Sequence, residues 1–160
     1  MKGLRIAACF SFVSLSLLMI ALTSDYWIVA SDGRAYGGLW QECEDALCVS
    51  YGVDVPGYIQ VTRDFLLLGM VAGTVSFFGF CASFFQTHIG SFSTKRLAVW
   101  ACFAAGVCSM IAMFAYTGVY NDQIVVYGTW FGWSFGIGWA SFILFLITGG
   151  LAYKTVGSTA

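Results

Sequence analysis

Long apolar runs alternate with short polar ones along this chain. The runs at about 6–24, 65–85, 97–117 and 130–153 hold no charged residue. A helix rises about 1.5 Å per residue, so roughly 20 apolar residues cross a bilayer core of about 30 Å. The pattern predicts four membrane-spanning helices in one domain, 1–160, with outer loops at 25–64 and 118–129 and a short loop at 86–96 on the opposite side. Helices this apolar also occur in the cores of large soluble proteins, but here no chain is left over to bury them. Lys2 and Arg5 ahead of the first run resemble the start of a signal peptide. That run is longer than a signal peptide's apolar stretch, and Ala21-Leu22-Thr23 is a poor cleavage site, so a retained helix is expected.

Cations sit on one side of this pattern and acids on the other. Lys2, Arg5, Lys95, Arg96 and Lys154 flank the runs in segments without Asp or Glu. Asp25, Asp32, Glu42, Glu44, Asp45, Asp54 and Asp64 lie between the first two runs, and Asp122 between the last two. Positive charge stays on the cytoplasmic side, so both termini are expected there and the acidic loops outside or in a lumen.

Lipid supplies no hydrophobic force between helices, so their contacts need small residues. Gly69 and Gly73 form a G-x-x-x-G pair in the second run and Gly132 and Gly136 another at the head of the fourth. Ala101, Ala105, Cys108, Ala112 and Ala115 recur at helical spacing in the third. Packing within the bundle is the expected use, and a self-association face is the alternative. Trp100, Tyr116, Tyr120, Trp130, Trp133 and Tyr153 fall near run ends, where amphipathic rings anchor helices.

The first outer loop is too long for a plain connector and reads as short strands at 25–30, 38–41 and 47–51, with turns at Ser31-Asp32-Gly33 and Pro56-Gly57. A further strand candidate, 123–127, could join the same sheet from the second outer loop. Of six cysteines, Cys9, Cys81, Cys102 and Cys108 lie inside the apolar runs, where Cys behaves as a small apolar residue. Cys43 and Cys48 lie in the outer loop, and an oxidising compartment favours a disulfide closing a tight hairpin. A zinc site is the competing reading; it needs further ligands, and no His or other Cys stands near.

Composition then excludes whole classes. Only 9% of residues are charged, against about 25% in a soluble domain, and 59% are apolar, so the chain cannot coat a soluble globule. A net charge of −1 rules out a basic nucleic-acid binder, and no nucleic-acid partner is expected. The lone His88 lies in the short inner loop without an acid beside it, and no nucleophile–base pair or phosphate-cradling glycine motif occurs, so no enzyme, cofactor or catalytic residue is expected. Glu42, Glu44 and Asp45 lack EF-hand spacing and read as a solvated acidic face rather than a calcium site. The apolar runs contain no ionisable residue to mark an ion path. Asn121-Asp122-Gln123 is no glycosylation sequon.

Trp27, then Gly38-Leu39-Trp40, then Cys43 and Cys48 spell W…GLW-x-x-C-x-x-x-x-C in the first outer loop, and Arg63 stands just before the second run. On a four-span chain this resembles the signature of the claudin, peripheral myelin protein and epithelial membrane protein superfamily. Residues 20–30, 57–62 and 133–145 look most like the branch of that superfamily found in lysosome-related cytotoxic granules. The close cysteine pair and residues 116–119 look more like the branch at lens fibre contacts. The resemblance implies a membrane all-α fold, a left-handed four-helix bundle carrying a small extracellular antiparallel β-sheet stapled by the disulfide. It implies a non-enzymatic protein that organises a plasma or granule membrane, with promotion of cytotoxic granule exocytosis as its specific role. Cell–cell adhesion at a junction, or service as an auxiliary subunit of a channel or pump, are the alternatives. The expected partners are the lipid bilayer and other membrane proteins, as homo- or hetero-associations in cis or trans.

Overall fold

Each apolar run is a helix in the computed structural model, which describes residues 2–85, 88–89 and 92–158, with the backbone alone for 88–89, 92 and 120–127. The first helix, α1, spans Lys2–Thr23. Four short strands follow: β1 (Ile28–Ala30), β2 (Ala35–Gly37), β3 (Gln41–Glu44) and β4 (Leu47–Ser50). Then come α2 (Gly57–Ala82), an antiparallel pairing of β5 (His88–Ile89) with β6 (Phe92–Ser93), and α3 (Thr94–Tyr127). A last strand, β7 (Thr129–Phe131), leads into α4 (Trp133–Gly157). All four helices are long and apolar enough to cross a membrane.

Each helix packs on its neighbours in sequence, and α1 packing on α4 closes the ring. Small and hydroxylated residues face the interior: Ala7, Ser11, Ser14 and Ala21 on α1, Ser76 on α2, Ala105 and Ser109 on α3, and Ser141 and Thr148 on α4 are buried. Ser14, Ser141 and Thr148 donate to carbonyls of their own helices, as where Thr148 Oγ1 meets Leu144 O at 2.6 Å, whereas the Ser11, Ser76 and Ser109 hydroxyls have no hydrogen-bond partner among the described residues. Large apolar side chains such as Phe12, Leu68, Val71, Phe78 and Ile147 are exposed on the outside, as a lipid-facing surface requires.

The packing glycines divide. A Cβ on Gly73 would stand 2.9 Å from Phe145 Cζ, and one on Gly69 would stand 3.3 Å from Ser109 Oγ. Both glycines are therefore used inside the bundle. Gly132 and Gly136 do not form a helix-packing pair. Gly132 precedes α4 as its N-cap, and a Cβ on Gly136 would meet open space. Gly138 takes that role instead, against the Met113 side chain at 2.7 Å from a built Cβ.

The outer loops form one five-stranded antiparallel sheet in the order β4-β3-β2-β1-β7. Several expectations shift. Of residues 38–41 only Gln41 is in a strand, as the start of β3, because Gly38-Leu39-Trp40 bends between β2 and β3 and plunges Leu39 into the core. The backbone at 123–127 is helical, for α3 continues until Gly128, whose φ of +60° ends it. The second loop does add an edge strand, but as β7. The first outer loop ends early, since α2 begins at Gly57 behind Pro56. Tyr116, expected at the membrane surface, is only 2% exposed because it packs under Trp27. Trp100, Trp130, Trp133 and Tyr153 are exposed; the side chains of Tyr120 and His88 lie outside the described residues.

Candidate functional site

The signature residues gather where the outer sheet meets the bundle, in a seam that fixes one to the other. That seam begins with a deficit. A helix leaves its last four carbonyls without intrahelical partners, and at the outer end of α1 they must be satisfied near the edge of the lipid. Ser24 N–H donates to Ile20 O at 3.0 Å. The fully buried Trp27 donates its indole Nε1–H to Ala21 O at 2.7 Å. Trp40 donates Nε1–H to Leu22 O at 2.8 Å. The two signature tryptophans are caps on α1, reaching back from the sheet.

Gly38 makes that reach possible. A Cβ there would stand 2.6 Å from Asp25 Cα and 2.8 Å from Ser24 O. No side chain fits, so the β2–β3 bend can press onto the end of α1. The bend is locked by Gly38 N–H to Gln41 O at 3.0 Å and by Gln41 Nε2 to Asp25 Oδ2 at 2.6 Å. Leu39, with no exposed surface, fills the space beneath.

Arg63, in the second turn of α2, ties that helix to the same bend. Its Nε–H donates to Leu39 O at 2.8 Å, and its guanidinium lies 4.6 Å from the centroid of the Trp40 ring. Tyr51 lies beyond at 6.0 Å. Arg63 is 7% exposed, and its buried Nη2 has no hydrogen-bond partner among the described residues. A planar cation that donates sideways while stacking on an aromatic face is a task for arginine rather than lysine.

Sequence reasoning missed the other side of the seam. Trp27 packs its ring on Tyr116 at 4.8 Å and on Phe135 at 6.1 Å, and Phe135 stacks on Phe131 at 4.0 Å. Gly132 N–H donates to Trp27 O at 2.8 Å, and a Cβ on Gly132 would collide with Tyr26 O. Ser134 Oγ and Ser24 Oγ are hydrogen-bonded at 2.6 Å. The start of α4 is thereby bound to the end of α1. The only sequence signal for this was a glycine read as part of a different motif.

Cys43 and Cys48 stand directly opposite each other on β3 and β4 and form a disulfide, which settles the pair against zinc. The two-residue turn between these strands places Asp45 at φ 44° and Ala46 at φ 72°. Two positive φ values are what a tight hairpin between right-twisted strands requires. On the neighbouring strand β2, Tyr36 pairs with Cys43, and Tyr26 stacks on Tyr36 at 4.6 Å and on Trp133 at 5.8 Å. The Tyr36 phenol is held above its ordinary range, first by the charge of the neighbouring Tyr26 and then by partial burial. Among the described residues no three His, Cys, Asp or Glu side chains converge as metal ligands.

This seam, with its tryptophan caps, Gly-Leu-Trp bend, stapled hairpin and stacked arginine, accounts for each signature position. Residues 3–152 match the PMP-22/EMP/MP20/Claudin family. The chain belongs to that family. Among curated proteins it is similar to Protein NKG7 of mouse, 33% identical over 144 residues, covering 88% of this chain and 83% of that protein. Protein NKG7 of human is 32% identical over the same shares. Protein NKG7 of cattle is 30% identical over 153 residues, 89% of this chain and 84% of the relative. Family membership makes the chain a multi-pass membrane protein whose surroundings are the bilayer and other membrane proteins.

Proposed function

We propose that this family member is a non-enzymatic organiser of the membrane it spans, acting through its outer sheet, and that the process it promotes is exocytosis of cytotoxic granules. One observation carries the first part. Indole caps, a buried arginine and the Gly132 contact join sheet and bundle into one body. Such a body offers neighbours a surface whose orientation follows its helices. The likeness to the NKG7 proteins, and the resemblance of residues 20–30, 57–62 and 133–145 to the granule branch, support the second part.

Both termini belong in the cytoplasm on this reading. Lys2, Arg5, Lys95, Arg96 and Lys154 cluster at one end, and the sheet carries the acids at the other. A short tag at either terminus should be stained by antibody only after permeabilisation.

Adhesion is the second reading, and the sheet edge favours it. β4 is the terminal strand, with Leu47 71% and Val49 63% exposed, and Val53 just beyond is 98% exposed. An open apolar edge can pair with another chain. The test is to express a fluorescent copy in suspended cells that do not adhere, beside a Cys43→Ser variant. Punctate signal on a lysosomal marker, without clustering, is the expected result. Clustering with signal at the contacts, lost in the variant, would replace the granule role with adhesion.

A further inference from the structure

Far from the sheet, at the opposite end of the bundle, α3 and α4 part to leave a groove of about 280 Å³. Arg96, Val99 and Trp100 line it from the first turns of α3, and Tyr153, Val156 and Gly157 from the last turns of α4. We propose that this groove holds the headgroup of one anionic phospholipid of the adjoining leaflet.

The lining sets apolar, aromatic and cationic side chains side by side at the membrane boundary. Val99 and Val156 form its apolar wall. Trp100 and Tyr153, 64% and 62% exposed, are the residue types that settle at headgroup level. Arg96 supplies a planar donor fork matched to a phosphate. It also sits in the first turn of α3, where unsatisfied backbone N–H groups and the helix dipole favour an anion.

Charge selects the occupant. No Asp or Glu occurs between residues 65 and 119, in 2–23, or in 130–158, so no carboxylate side chain of these spans competes for Arg96. Lys95 and Lys154 adjoin the lining residues in sequence and add to the same field. Basic pockets between helices on the cytoplasmic side are known to take anionic headgroups, each surface cation contributing about fivefold in binding. A zwitterionic headgroup gains little here, because its own cation would face Arg96. A Cβ built on Gly157 meets nothing within 4 Å, so a side chain can be introduced there without a clash.

The inference rests on the cytoplasmic placement of this end only for which leaflet supplies the lipid. The test therefore uses nanodiscs of identical leaflets, a mixture of phosphatidylcholine and phosphatidylserine, so a failed orientation and an unused groove give different results. Native mass spectrometry of the released protein counts the lipids retained. Wild type is expected to keep one phosphatidylserine in preference to phosphatidylcholine. Arg96→Gln should lower that retention about fivefold. Gly157→Phe, which fills the groove and leaves every charge in place, should lower it as well. Arg5→Gln, outside the groove at the same end, should not. Equal retention of both lipids by wild type would overturn the proposal. So would a loss in Arg5→Gln equal to that in Arg96→Gln, or full retention by Gly157→Phe, since either describes a diffuse basic ring.

Discussion

Two indole N–H groups close the outer end of α1, and each is a single atom whose removal can be measured. Trp27→Phe keeps most of the ring that packs on Tyr116 but leaves Ala21 O, in a buried setting, without its donor. The expected loss is about 1–3 kcal/mol, read from thermal unfolding in mild detergent. Arg63 offers a sharper comparison. Arg63→Lys preserves the charge yet loses the Nε–H bond to Leu39 O and the stack on Trp40, so it should destabilise by roughly 2 kcal/mol, much as Arg63→Met does. A lysine variant as stable as wild type would show that charge alone matters at this position. These residues were legible beforehand as a signature, but the partners of their polar atoms were not. A pattern of Trp, Gly and Arg along a loop does not say which carbonyls they reach.

The β3–β4 hairpin carries two devices that act in opposite directions. Ala46 at φ 72° occupies a conformation that costs an L-residue about 1–2 kcal/mol, and the Cys43–Cys48 bond holds the strands together around it. Ala46→Gly should therefore raise stability by about 1 kcal/mol, seen as slower amide exchange in β4. Cys43→Ser should cost roughly 2 kcal/mol on the entropy of so short a loop, with faster exchange confined to β3 and β4 while the helices keep their protection. In the helices, Gly73→Leu would force a side chain into Phe145 and Leu15, loosening α2 from α1 and α4. Lower thermal stability with unchanged disulfide formation is the expected outcome. Apolar run length located every helix, because lipid imposes that length on any sequence. It missed the ends. Residues 124–126 are β-branched and read as strand, whereas the structure continues α3 across them to Gly128. The Gly38–Trp40 bend was read as strand because its inward turn is set by the end of α1, not by its own alternation.

At the scale of the whole molecule, topology and sidedness of charge were visible in the sequence, and the closure of the ring was not. Ser24 and Ser134 are 110 positions apart and meet at 2.6 Å, a contact that no local pattern announces. The strand order β4-β3-β2-β1-β7 has a consequence in time. A ribosome finishes β1 to β4 with the first fifty residues, and the strand that covers β1 lies at Thr129–Phe131, beyond two more membrane crossings. Throughout that interval the nascent sheet has both borders bare. The last strand of the chain, arriving with α4, shuts one of them for good and leaves the other, along β4, permanently open.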